Sequence, residues 1–102
     1  MTDHPRLLHG DNLTVMRSLA AEGFRAHLIY ADPPFATGRD FYHEPRDGGP
    51  AELAYSDKWP SFEAYIEALR ERVAAARDLL TADGCMFVHV DPTASHYVKV
   101  MM

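Results

Sequence analysis

The chain has 102 residues, 47% of them apolar and 25% charged, which suits one small globular domain with a modest core and excludes a disordered chain. Its formal net charge is −5 with no basic run to offset it, so the chain alone lacks the phosphate-neutralising surface on which nucleic-acid affinity rests. The single cysteine, Cys85, excludes an internal disulfide and fits a reducing, cytoplasmic setting, and neither a signal peptide nor a membrane span is visible in the hydropathy pattern.

Residues 6–9 (RLLH) predict a short strand, ended by Gly10-Asp11. Asp11 or Asn12 is placed to cap a helix on which Leu13, Met16, Leu19 and Ala20 recur at helical spacing. Gly23 suits the left-handed exit from that helix. The apolar run 26–31 (AHLIYA) predicts a parallel strand buried on both faces, and Asp32-Pro33-Pro34 stops it because two prolines cannot continue a ladder. Residues 35–60 predict a long loop containing the breaker cluster Gly48-Gly49-Pro50. Within it, acidic Asp40, Glu44, Asp47 and Asp57 alternate with Arg39, Arg46 and Lys58, which predicts a solvated loop rather than a phosphate grip.

Ser61 then caps the longest predicted helix, with Phe62, Tyr65, Ile66, Leu69, Val73, Ala76 and Leu80 on one face. Residues 81–84 predict its exit turn, and 85–90 (CMFVHV) the next strand, with Cys85 as a small core residue. Asp91-Pro92 ends that strand, and Thr93 is placed to cap a last helix carrying Tyr97, Val98 and Met101. Alternation of this kind predicts an α/β fold, a parallel sheet with covering helices. His89 and Asp91 share a strand face but are too few to hold a metal, so no metal site is expected.

Chemistry gathers at Asp32-Pro33-Pro34-Phe35, because open parallel sheets bind ligands at the carboxyl ends of their strands. An exocyclic base amine is a poor nucleophile while its lone pair is delocalised into the ring. A carboxylate (Asp32) and a rigid carbonyl (Pro33) that accept its two N–H bonds favour pyramidal nitrogen and free that pair. Phe35 offers a face on which an extruded base stacks. Tyr42, Tyr55 and Trp59 either line such a pocket or pack the loop down. Trp59, before Pro60, also suits a hydrophobic staple on the long helix.

The segment LIYADPPFATGRDFY resembles motif IV of the amino-group DNA methyltransferases, (D/N/S)-P-P-(Y/F/W) with the TG-D-F continuation of the β class. Tyr55-Ser56-Asp57-Lys58-Trp59 resembles the Y-x-D-x-W stretch of the same enzymes, which include the modification subunits of type III restriction systems. LLTADGCMFVHVDPTASHYVKVMM resembles their motif VI and the helix after it. The resemblance covers residues 6–102 and implies a partial Rossmann-like methyltransferase fold that uses S-adenosylmethionine.

The resemblance makes Asp32, Pro33, Pro34 and Phe35 the catalytic motif. Asp32 and Asp11 become candidates for cofactor contact, Asp11 with a plain helix cap as the alternative. Phe35, Thr37 and Tyr55 become candidates for the substrate side. His96, Tyr97 and Lys99 either pack near the catalytic loop or lie on a helix surface. The implied reaction is methylation of adenine N6 in double-stranded DNA with the target base flipped out; N4 of cytosine is the alternative amine. Possible partners are a restriction subunit or a second methyltransferase subunit, with no membrane. The family's F-x-G-x-G cofactor loop is absent, so residues 1–102 are expected to be the N-terminal part of the catalytic domain. The cofactor loop and the target-recognition region would then lie elsewhere. The rival expectation is a non-enzyme, either an inactive remnant or a half that needs a partner.

Overall fold

The computed structural model describes residues 4–102. The first helix, α1, spans Asn12–Ala21 and begins where the Asp11 carboxylate accepts the Leu13 amide at 3.0 Å. It ends at Glu22, followed by Gly23 at φ +87°, a left-handed exit that glycine makes without a Cβ penalty. Strand β1 follows at Ala26–Ala31. The polypeptide then forms an antiparallel hairpin, β2 (Asp40–His43) with β3 (Glu52–Ser56). Helix α2 spans Phe62–Leu79, capped by the Ser61 hydroxyl on the Ala64 amide at 3.0 Å. Strand β4 (Leu80–Val88) pairs with β1 in parallel, and helix α3 (Pro92–Met101) closes the described chain.

The fold is α/β, a parallel pair with covering helices. Helix α2 is its spine. Tyr65, Leu69, Ala75, Ala76 and Leu79 are buried along it, and α1, α3 and β4 all pack on it. Tyr65 and Leu69 join Ala94 and Val98 of α3 in the main core cluster. Trp59 packs edge-on against Tyr65 at 5.3 Å between ring centres. That is the contact of a hydrophobic staple, made from one residue further out than usual.

Several expectations need correction. Residues 6–9 form no strand: a strand exists through its ladder, no described strand pairs with them, and Leu7 is 97% exposed. The loop 35–60 is not structureless, because Phe41 and Tyr55 stack across a hairpin with 4.8 Å between ring centres. The exit turn at 81–84 is absorbed into β4, where it survives as a register slip between Ala26↔Leu80 and Leu28↔Cys85. Strand β4 ends at Val88 rather than at residue 90. Asp91, not Thr93, caps α3 by accepting the Ala94 amide at 3.3 Å, with Pro92 in the first turn where its missing N–H costs nothing.

The parallel pair is covered on one face only among the described residues. Ile29, Met86 and Val88 turn toward the helices, while Leu28, Tyr30 and Phe87 stay mostly exposed. Cys85, paired with Leu28, lies on that open face and is exposed rather than in the core.

Candidate active site

Strands β1 and β4 run parallel, so their carboxyl ends meet. One rung beyond the strand, the His89 amide donates to the Ala31 carbonyl at 2.8 Å. This sets His89 beside Asp32, the first residue after β1, with Nδ1 3.1 Å from the carboxylate Oδ1. The His89 ring also meets the Phe35 ring edge to face, 5.2 Å between centres and 87° between planes. Both side chains of the Asp32–His89 pair are more than half exposed, so the carboxylate remains open to an incoming group.

Behind this front lies a buried scaffold. Asp57 is 1% exposed, yet every acceptor direction it needs is used. Its Oδ1 accepts the Ala36 amide at 2.8 Å and the Trp59 indole N–H at 3.1 Å. Its Oδ2 accepts the Thr37 amide and the Thr37 hydroxyl, both at 2.8 Å. Burial is the largest single influence on this carboxyl and pushes its pKa up. The bonds from Thr37, Trp59 and Ala36 together outweigh burial and hold the pKa below the ordinary carboxylate value.

Ala36 sits at φ +59°, a left-handed conformation that costs a residue with a Cβ on the order of 1 kcal/mol. The charged bond from its amide to Asp57 offsets that strain. On the other side of Phe35, the Tyr65 hydroxyl donates to the Pro34 carbonyl. Tyr65 is fully buried, and burial, with Asp57 and Asp91 nearby, pushes its pKa up to about 12, so the hydroxyl keeps its proton. Nothing among the described residues donates to the Pro33 carbonyl.

Two cavities meet at the Asp32-Pro33-Pro34 wall. One, of about 470 Å³, is lined by Asp32, both prolines, Phe35, Thr37 and Asp57, and by the stacked Phe41 and Tyr55 of the hairpin. The Arg39 guanidinium lies 5.6 Å from the Phe41 ring centre, on the cation–π side of that stack. The other cavity, of about 340 Å³, runs under the wall between α1, α2 and the parallel pair, and Asn12, Met16, Arg72 and Met86 share its lining with Asp32. Arg72 is fixed there by Asn12 Oδ1 at 2.8 Å and Asp11 Oδ1 at 3.0 Å. The Leu13 amide, and after it Arg72, hold the Asp11 carboxyl below its ordinary pKa.

A family model for DNA methylases of the N6/N4 type matches residues 26–102, three quarters of the chain and the whole lining of the first cavity. The chain belongs to the DNA methylase family. It is 39% identical over 80 residues to the type II methyltransferase M.EcaI of Enterobacter cloacae, covering 78% of this chain and 16% of that protein. It is 31% identical over 97 residues to the probable type III restriction-modification enzyme HindVI Mod subunit of Haemophilus influenzae, covering 94% of this chain and 11% of that protein. A third relative is the type III restriction-modification enzyme EcoPI Mod subunit of Escherichia phage P1, 30% identical over 104 residues, with 83% of this chain and 16% of that protein covered. The chain thus spans between about a tenth and a sixth of the length of these relatives. Its parallel pair and helices form part of a Rossmann-like methyltransferase fold. No described helix is long and apolar enough to cross a membrane.

In this DNA methylase chain, Asp32, Pro33, Pro34, Phe35, Thr37 and Tyr55 line one cavity. Asp11 stands apart from them, capping α1 beside the second cavity. Tyr97 packs on Phe62 at 5.3 Å, and neither it, His96 nor Lys99 lines either cavity. Tyr42 is exposed on the hairpin, and Lys58 pairs with Asp40 at 3.2 Å.

Three residues escape sequence reasoning. Asp57 is buried rather than solvated, His89 bonds Asp32, and Phe41 stacks in the cavity wall. The signals for Asp57 are its place in the Y-x-D-x-W stretch and its position two residues before Trp59, close enough for the indole to reach it. His89 and Asp32 come together only through strand register, which no local pattern reveals.

Proposed function

We propose that this chain is the base-handling part of an S-adenosylmethionine-dependent DNA methyltransferase that methylates N6 of adenine. The observation that carries the reading is the shared wall. A single carboxylate, Asp32, faces an aromatic cavity on one side and a mixed apolar and polar cavity on the other. A flipped base enters the first, stacks on Phe35 and is bounded by Thr37 and Tyr55. Asp32 and the free Pro33 carbonyl accept the two N–H bonds of its amine, which localises the nitrogen lone pair. His89 holds Asp32 Oδ1, which leaves Oδ2 for the amine.

The second cavity combines Met16 and Val73 with Asn12, Asp32 and Arg72, a lining that fits an amphipathic donor, and Asp11 lies at its edge. When bound, S-adenosylmethionine supplies an electrophilic methyl group on a sulfonium. The chain's contribution is to aim the amine at it across the Asp32 wall. The Gly-rich cofactor loop and the target-recognition region are supplied from outside residues 1–102, as is the basic surface that grips DNA. The relatives named as Mod subunits of restriction-modification enzymes make a restriction subunit a candidate partner.

The test is transfer of radiolabelled methyl to DNA by a methylase carrying these 102 residues, followed by nucleoside analysis. Asp32→Ala should lower turnover by at least about 10²-fold, the usual effect of losing one transition-state contact, with the circular dichroism unchanged. Full activity in that variant refutes the role of Asp32. Methylcytosine in place of methyladenine corrects the base.

A further inference from the structure

Phe35 has two flanking peptide groups, and each is held by a different buried side chain. The Pro34 carbonyl before it accepts the Tyr65 hydroxyl, and the Ala36 amide after it donates to Asp57 at 2.8 Å. These two side chains are linked to each other, because the Trp59 indole bonds Asp57 at 3.1 Å while its ring packs on Tyr65 at 5.3 Å. The circuit closes through α2, on which Tyr65 sits in the core with no exposure. Asp57 also ties the hairpin to the same point, since its carbonyl accepts the Gly38 amide and its own amide donates to the Arg39 carbonyl. No other charged residue among those described is buried.

We infer that Asp57 and Tyr65 are positioning residues that clamp the backbone on both sides of Phe35 and so hold its ring in the base-accepting position against His89. The left-handed turn at Ala36 supports this assignment, because an alanine leaves that conformation unless something holds it, and the bond to Asp57 is what holds it. A ring set in advance does not have to be ordered when a base arrives. Fixing one residue's backbone is equivalent to roughly tenfold in an equilibrium constant, and that is the affinity the clamp preserves. The value of the clamp for catalysis rests on the proposed methyltransferase function; its geometry does not.

The experiment is solution NMR of the 102-residue chain, wild type against Asp57→Asn and Tyr65→Phe. Each variant keeps the shape of its side chain, and Tyr65→Phe leaves the core ring in place should Asp57→Asn fail to fold. In wild type, cross-relaxation between the Phe35 and His89 ring protons is expected. In folded variants with β1 and β4 amides unmoved, that cross-peak should be lost. Its survival at full intensity in Tyr65→Phe, or in a folded Asp57→Asn, overturns the clamp, even where the Ala36 and Thr37 amides shift.

Titration with 2′-deoxyadenosine separates this reading from the functional one. If the nucleoside perturbs the Phe35 and Tyr55 rings, its affinity should fall about tenfold in the variants, for the ordering cost given above. If it perturbs neither ring in wild type, the base pocket falls, and the cross-peak still decides the clamp.

Discussion

Replacing Asp57 by alanine should be among the most damaging single changes in this chain. The carboxylate is 1% exposed and accepts four donors: the Ala36 and Thr37 amides, the Thr37 hydroxyl and the Trp59 indole. Alanine leaves all four without an acceptor. An orphaned buried donor costs about 1–3 kcal/mol, and water can meet the donors of exposed Thr37, so the loss falls mainly on the Ala36 amide and the Trp59 indole and is expected to be about 3–5 kcal/mol. A domain of this size has a total stability of roughly 5–15 kcal/mol. The melting temperature should therefore fall by roughly 12–40 °C, at about 4–8 °C per kcal/mol.

The sign of the pH dependence follows from the same bonds. Burial raises the Asp57 pKa, but the hydrogen bonds lower it further, so the folded value lies below the ordinary one. The stabilisation is complete above the ordinary carboxylate range and is lost as pH falls through the folded pKa. Differential scanning calorimetry from about pH 7 down to about pH 2.5 should show the gap between wild type and Asp57→Ala closing with acid. A fall of less than about 4 °C near neutrality, or a gap independent of pH, refutes the reasoning.

Two further changes probe the framework around the site. Ser61→Ala removes the cap on the Ala64 amide, a bond of 3.0 Å at the start of α2. It should cost about 1 kcal/mol and lower the melting temperature by about 4–8 °C, measured by circular dichroism. Gly84→Ala places a Cβ 3.2 Å from the Ala26 carbonyl oxygen and 3.0 Å from Leu80 Cδ2, inside the register slip that joins β4 to β1. The backbone oxygen has little freedom to retreat, so a cost of about 1–3 kcal/mol is expected, seen as a lower urea midpoint with faster amide exchange in β1.

Local chemistry made much of the architecture legible. The apolar run 26–31 and its two terminal prolines gave β1 with its bounds, and Ser61 with its apolar stripe gave α2. The hairpin was hidden because its strands are short and mostly exposed, and its pairing rests on a Phe41–Tyr55 stack between residues 14 apart in sequence. The strand expected at 6–9 shows the opposite error. RLLH carries two adjacent leucines but no β-branched or aromatic residue, and it has no neighbour among the described residues to supply the ladder a strand requires. Likewise, the alternating charges of the 35–60 segment describe its average environment and say nothing of the one aspartate folded inward.

The two aspartates that matter here, Asp32 and Asp57, carry the same side chain 25 residues apart and are fitted for opposite tasks. Asp57 is buried with its acceptor capacity filled by four donors, so it has little capacity left for a substrate, and its charge serves to fix backbone. Asp32 has one bond, from an exposed histidine, and faces two cavities with an oxygen free. In the proposed role, a carboxylate that receives a transient amine needs unspent acceptor capacity together with a fixed position. Asp32 has the first from its exposure and the second from the prolines and the strand behind it. Exchanging the environments would lose both functions, because an unsatisfied carboxylate in the core is costly and a saturated one in the cleft is inert. The clamp on Phe35 and the open face of Asp32 are therefore one division of labour: the buried charge holds the loop rigid so that the exposed charge can stay uncommitted.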